Sequence, residues 1–434
     1  MIVVAFAAAV LVETGLLLLP AAHEAGMTTS FREALFTATS AVCVTGLTVV
    51  DTESHWSTLG ELIILGGIQV GGFGIMTLAS LAGLFVSRRL GLRSRLLAQA
   101  ESKATQLGDL RFLLRGVALI TLGFESATAV LLALRFWLGY GESPGRAAYL
   151  GLFHAVSAFN NAGFGLWSDN LVRFATDPLV ILPVAGAVIA GGLGYPVFFE
   201  LRREFRSPGT WSVHTRIVLL TTGALLIGGT LAFLFFEWRN PATLGPLDAR
   251  GKALAGFFQA VVPRTAGFNS LDYAQMREST LLVTDALMFV GGASASTAGG
   301  IKVTTFTVLL FAIIAEARGN ADNDAFHYRR IPVPVIRQSI AVALLAIAVV
   351  FTATLVMLTI TGLELDRILF EVISAFATVG LTAGLTPTLP PAAQYVLIAL
   401  MFLGRTGTIT LASALALRQH RNLYHLPDER PVVG

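Results

Sequence analysis

Four short segments of this chain repeat one another, so any fold it adopts must place four copies of the same piece. They read FTATSAVCVTGL, FHAVSAFNNAGF, FFQAVVPRTAGF and FEVISAFATVGL. In each, a phenylalanine (Phe36, Phe153, Phe257, Phe370) stands ten residues before a glycine (Gly46, Gly163, Gly267, Gly380). The glycines lie 117, 104 and 113 residues apart, a period long enough for a whole supersecondary unit.

What surrounds these segments decides their environment. Apolar runs occupy 2–20, 62–86, 112–138, 178–201, 216–236, 280–317, 335–361 and 393–417, each near or above the roughly 20 residues that cross a bilayer as helix. Hydrophobic residues make up 54% and charged residues 13% of the chain, against about 25% charged in a soluble domain. The reading is eight spans in an all-α polytopic membrane protein. Pro20-Ala21-Ala22 resembles a signal cleavage region, but no basic residue precedes it, so the first run is read as a span.

The repeated segments are too short to cross a membrane and fit re-entrant helices that enter and turn back. Irregular backbone at membrane depth survives only where it is buried or lines water, so four such turns imply a central path. One unit is span, re-entrant helix, span. The expected units are 1–86 around Gly46, 111–201 around Gly163, 214–318 around Gly267 and 335–418 around Gly380. A basic loop at 87–110 and a tail at 419–434 are expected in the cytoplasm.

Charge placement orients the chain. The segments 87–115, 202–216, 318–337 and 418–434 hold 7, 4, 4 and 3 Lys plus Arg, 18 of the chain's 30. By the positive-inside rule these alternate loops and both termini face the cytoplasm.

A bare cation in a narrow path needs oxygen ligands in place of its water shell, and rings of backbone carbonyls supply them without fixed charge. Glycine reaches the backbone angles that such a turn requires. The expected lining is therefore the carbonyls of Val44, Thr45 and Gly46; Asn161, Ala162 and Gly163; Thr265, Ala266 and Gly267; and Thr378, Val379 and Gly380. The preceding short helices would aim their carbonyl ends at the path, which favours a cation. Asp51, Asp169 and Asp272 follow three of the turns and either concentrate cations or serve as loop and capping residues.

The second spans also repeat, as IQVGGFGIMTL, VIAGGLGYPVF, MFVGGASASTAGGIKVTTF and MFLGRTGTITL. Gly71-Gly72, Gly191-Gly192, Gly291-Gly292 and Gly404-Arg405 occupy matching places, where small residues allow close packing. Only the third copy carries an insert of small residues, and it is expected to break that span. The candidate gate is Gly291, Gly292, Ser294, Ser296, Gly299 and Gly300, with Lys302 and Arg405, basic residues read as lying within spans. Glu13 and Glu125, also within spans, are expected to pair with polar neighbours. The lone cysteine, Cys43, excludes an internal disulfide, and no HExxH, Walker or nucleophile arrangement points to an enzyme.

With these motifs together, the chain resembles the Trk/Ktr/HKT superfamily of K⁺ transporters over nearly its whole length. The carrying residues are the four glycine turns, TATSAVCVTGLTVVD around Gly46, and GGASASTAGGIK with Arg405. It is most similar to the membrane subunits of the Ktr branch, since the extra N-terminal spans of the TrkH branch are missing. The resemblance implies K⁺ uptake down its gradient through one pore per subunit, gated by the intramembrane loop and the arginine. It also implies a homodimer, possible Na⁺ dependence, and a cytosolic ring of KtrA-like subunits that carries any nucleotide. Glycine at all four turns is similar to the K⁺-selective members. The alternatives are a Na⁺-permeable member of the superfamily and an alternating-access secondary transporter.

Overall fold

The computed structural model describes residues 2–89, 110–319, 325–326 and 329–417. The basic loop expected at 87–110 falls outside them except at its two ends, and the tail at 419–434 entirely so. Fourteen α-helices of ten or more residues carry the described architecture. The first unit comprises α1 (Ile2–Leu17), α2 (Phe31–Val42) and α3 (Thr58–Arg89). The second comprises α4 (Leu110–Tyr140), α5 (Pro144–Phe159), α6 (Pro178–Leu193) and α7 (Tyr195–Glu204). The third has α8 (Val213–Glu237), α9 (Ala249–Val261), α10 (Glu278–Phe289) and α11 (Val303–Ala317); the fourth has α12 (Val333–Thr361), α13 (Leu365–Phe376) and α14 (Pro391–Leu417). A two-residue antiparallel pairing, Ala325–Phe326 with Arg329–Arg330, lies between α11 and α12.

The short helices start where the sequence supplies caps. Ser30 and Glu33 form a reciprocal capping box at α2, Ser143 caps α5 ahead of Pro144, and Asp248 accepts from Gly251 N at 2.9 Å to open α9. The C-terminal halves of these helices are buried, with Phe36, Phe153 and Phe370 fully enclosed. In the third copy the enclosed ring is Phe258, and Phe257, the residue in register by sequence, is half-buried.

The long helices have the opposite pattern. On α8, Leu220, Ile227, Leu231 and Phe235 are all more than half exposed and share one face, while Thr215, Val218, Thr222, Gly229 and Phe233 face inward. A stripe of large apolar side chains turned outward on a helix of 25 residues is a lipid-facing surface. Leu114–Tyr140, Val213–Glu237 and Val333–Thr361 are long and apolar enough to cross a bilayer, and the α6–α7 pair makes a fourth if taken as one bent span. At the end of the α4–α6 pair, Asp177 caps Leu179 N at 3.0 Å and accepts from Arg135 Nε and Tyr140 Oη, each at 2.8 Å. Burial opposes its charge, but these bonds outweigh burial and hold the Asp177 carboxyl below the ordinary carboxylate range.

The fold corrects one sequence expectation. The run at 178–201 was expected to be a continuous span and the third copy the sole break, yet α6 and α7 meet at 98°. The hinge is Gly194, with φ of 80°, an angle that costs residues with a Cβ far more than glycine. A Cβ there would also approach Ser294 O at 2.8 Å and Ala295 O at 3.1 Å. Tyr195 N, just past the hinge, donates to Ala295 O at 3.3 Å. The bend in the second copy thus receives the insert of the third.

Candidate functional site

The four glycine turns meet at one place. A Cβ on Gly163 would lie 2.8 Å from Ala266 O, and one on Gly267 would lie 2.5 Å from Val379 O. On Gly46 it would run into Ala162 O, and on Gly380 into Thr45 O. Each glycine therefore abuts the carbonyl preceding a neighbour's glycine, in the order first, second, third, fourth and back to first. The ring closes without room for a side chain.

The backbone of each turn explains which atoms face the ring. Val44, Asn161, Thr265 and Thr378 have φ of 54°, 60°, 67° and 49°, and the glycines two residues on have φ of 96°, 71°, 70° and 95°. Left-handed geometry at a residue with a Cβ costs on the order of 1–3 kcal/mol and is held only by its surroundings. Those surroundings are the short helices, which take the N–H groups. Thr45 N donates to Ser40 O at 2.7 Å, Ala162 N to Ser157 O at 2.8 Å, Ala266 N to Val262 O at 3.0 Å and Val379 N to Ser374 O at 2.8 Å. With these donors turned back onto the helices, the carbonyls of Thr45, Ala162, Ala266 and Val379 lie against the neighbouring turns' glycines, while Gly163 O accepts from Asn170 Nδ2 at 3.2 Å.

One device here was missed from sequence. Ser40 Oγ accepts from Gly46 N at 3.0 Å and Ser374 Oγ accepts from Gly380 N at 3.1 Å, while Ser157 Oγ donates to Phe164 O at 2.8 Å. The signal was present as a Ser-Ala pair six and five residues before the glycine in three of the copies; the third has Val261 instead.

The paired glycines of the second spans pack against the ends of the same helices. A Cβ on Gly71, Gly191 or Gly404 would strike Val42 O, Phe159 O or Phe376 O, each four residues before its turn's glycine. In the third copy the insert takes over. Its ends are tied by Gly291 N to Ile301 O at 2.9 Å and Val303 N to Gly292 O at 3.1 Å. It is hung on α6 by Ala293 N to Gly192 O at 2.9 Å and Thr297 N to Gly191 O at 3.2 Å.

The insert lies directly beside the turns. Thr297 Oγ1 donates to Phe159 O at 3.2 Å, and a Cβ on Gly299 would lie 2.5 Å from Ala377 O. Two basic side chains hold consecutive carbonyls of it. Arg405 Nη1 donates to Thr297 O, its Nη2 donates to Gly71 O at 3.3 Å, and Lys302 Nζ donates to Ala298 O at 2.6 Å. Arg405 is 1% exposed although it lies mid-helix, whereas Lys302 is the residue that precedes α11 and not part of a continuous span. Ser296 Oγ closes back on Ala293 O at 2.6 Å, and Ser294 Oγ meets Thr304 Oγ1 at 3.2 Å.

Other sequence candidates have plainer surroundings. Glu125 accepts from Asn160 Nδ2 at 2.9 Å and lies 3.4 Å from Gln69 Nε2, behind the second turn. Glu13 was expected to pair likewise, but neither of its oxygens has a hydrogen-bond partner among the described residues; it packs on Gly67, whose missing side chain makes its room. Asp169 pairs with Arg173 at 2.6 Å, Asp272 caps Ala274 N at 2.9 Å, and Asp51 accepts from Ser168 Oγ at 2.7 Å. Arg264, missed in the sequence, is buried beside the third turn and reaches Gly291 O at 3.2 Å.

A family model described as cation transport protein, TrkH, matches residues 1–423 of this chain. The chain belongs to the TrkH family of cation transport proteins. TrkH-family relatives include Ktr system potassium uptake protein B of Bacillus subtilis, 41% identical over 407 residues, covering 93% of this chain and 90% of that one. Potassium/sodium uptake protein NtpJ of Enterococcus hirae is 35% identical over 425 residues, covering 96% and 93%. The crystal structure of the potassium transporter TrkH from Vibrio parahaemolyticus superposes with a TM-score of 0.67 at 20% identity, over 90% of this chain and 79% of that one. That likeness extends the TrkH fold, four span, re-entrant helix, span units around one axis, to this chain.

Proposed function

We propose that this chain is the ion-translocating subunit of a K⁺ uptake system, which passes K⁺ down its electrochemical gradient through the ring of turn carbonyls. The observation that carries the reading is the closed ring, in which each left-handed turn gives an N–H to its short helix and the carbonyls of Thr45, Ala162, Ala266 and Val379 abut neighbouring glycines. The names of the relatives, potassium uptake protein B and a potassium/sodium uptake protein, support the ion class. Val44 to Gly46, Asn161 to Gly163, Thr265 to Gly267 and Thr378 to Gly380 form the filter. The insert from Gly291 to Gly300, held by Arg405 and Lys302, is the gate across the path.

A membrane potential of about 150 mV supplies roughly 3.5 kcal/mol per K⁺, so uptake needs no chemical step in this chain. Purified protein in liposomes is expected to pass K⁺ and Rb⁺ in clear preference to Na⁺ and Li⁺. Equal fluxes of all four would replace this reading with the Na⁺-permeable one, for which the potassium/sodium relative is the motive. Saturable exchange of non-cation substrates would instead favour an alternating-access transporter.

The clustering of Lys and Arg in alternate loops supports the orientation. The filter entrance faces outside, and both termini are cytoplasmic. An impermeant thiol reagent added outside, in a background lacking Cys43, is expected to label a cysteine at the exposed Ser168 and not one at the exposed Ser207; the reverse would invert the orientation. The subunit pairs with a second copy and docks a ring of KtrA-like nucleotide-binding subunits, as the word system in the relatives' names suggests. Co-purification with such a subunit, and the mass of the complex, test this.

A further inference from the structure

The third turn differs from the others three residues before its glycine. Cys43, Asn160 and Ala377 hold that place in the first, second and fourth copies, and Arg264 holds it in the third. A guanidinium keeps its charge in any protein setting, and burying one demands compensation. Arg264 is 7% exposed, and among the described residues it has no ion pair. Compensation comes from two carbonyls on separate elements. Its Nη1 donates to Thr222 O of α8 at 3.4 Å, and its Nη2 donates to Gly291 O at 3.2 Å.

Gly291 opens the insert, and the backbone of Arg264 leads directly into Thr265, Ala266 and Gly267. One residue thus adjoins the filter by its main chain and reaches the gate by its side chain. Moving the insert away must either break a hydrogen bond to a buried charge or draw the third turn with it. Such a shift passes around the ring, since a Cβ on Gly267 would lie 3.2 Å from Gly163 Cα and 3.1 Å from Thr45 O.

We propose that Arg264 is the positioning residue that couples the third filter turn to the intramembrane insert, so that displacing the insert changes ion discrimination as well as flux. This rests on the filter and gate reading above and adds that the two are one mechanical unit. A lysine would keep the charge without the planar fork that reaches two carbonyls.

The test uses the full-length protein, purified alone in liposomes, with Rb⁺ and Na⁺ uptake measured in the same vesicles. Arg264→Gln is expected to raise Rb⁺ uptake and lower the Rb⁺ to Na⁺ ratio together, each by at least about fivefold, the low end of ordinary coupling factors. Arg264→Lys should fall between it and the parent in both. A folded Arg264→Gln protein that changes one quantity without the other, or neither, overturns the coupling. If Arg264→Gln does not fold, deletion of residues 294–296 with Arg264 intact makes the converse measurement. That deletion must also lower the ratio, and an unchanged ratio overturns the proposal. Gly46→Ser in the same vesicles separates the two levels. If its ratio is also unchanged, the filter reading itself has failed and the coupling falls with it.

Discussion

In liposomes holding the purified protein alone, Arg405→Ala is expected to raise K⁺ flux by roughly 30-fold, the effect of removing about 2 kcal/mol of repulsion between like charges ~8 Å apart at an effective dielectric of ~20. The guanidinium of Arg405 lies at 1% exposure against the insert, donating to Thr297 O and to Gly71 O at 3.3 Å. Its loss removes both a charge that repels a cation and the bond that holds the insert near the turns. Arg405→Lys keeps the charge and loses the two-carbonyl grip, so it should recover only part of the parental closure. The opposing possibility is that Arg405 serves only to hold α3, α14 and the insert together. In that case the alanine protein loses thermal stability and flux at once. A folded, stable Arg405→Ala protein with parental flux would falsify the gating role.

The second large effect concerns the ring. Gly46→Ser is expected to lower the K⁺ to Na⁺ uptake ratio by about tenfold, equivalent to about 1.4 kcal/mol. Gly46 has φ of 96°, and any Cβ there would run into Ala162 O. The neighbouring carbonyl has to move, which changes the number and spacing of oxygens that replace the hydration shell. Gly46→Ala carries the same Cβ without the hydroxyl and so separates displacement from an added oxygen ligand. A ratio lowered in both variants attributes selectivity to ring geometry, and one lowered only in the serine variant attributes it to the hydroxyl. A parental ratio in both, in folded protein, removes Gly46 from the filter.

Much of this arrangement was legible in the chain because its determinants are periodic or local. The phenylalanine-to-glycine spacing marked four turns, and their glycines are needed because the ring leaves no volume for a Cβ at any of them. The Gly-Ala-Ser-Ala-Ser-Thr-Ala-Gly-Gly run marked a broken helix, and α10 and α11 are separate. Long apolar runs marked lipid-facing helices, since hydropathy depends on residue type and not on partners. The Ser-Ala pair six and five residues before the glycine was visible too, but its meaning needed the helix end to fold back toward Gly46 N.

Other features came only from tertiary contact. Pro196 stands two residues after Gly194, where the first copy has Met76 after Gly74, so a break had a local signal; that the 98° bend packs against residues 294 and 295 did not. Arg264 drew no reading from the sequence, because its contact is with Gly291, 27 residues away, which only the fold brings within reach of its side chain. Glu13 and Glu125 looked alike in sequence, yet Glu125 meets Asn160 and Gln69 while Glu13 meets the bare face of Gly67. The sequence by itself determined the membrane setting, the four repeats and the glycines, because burial preference and backbone angle are properties of single residues at fixed spacing. The tertiary structure decided which carbonyls each buried charge holds, because hydrogen bonds between separate helices depend on how the repeats close around their axis.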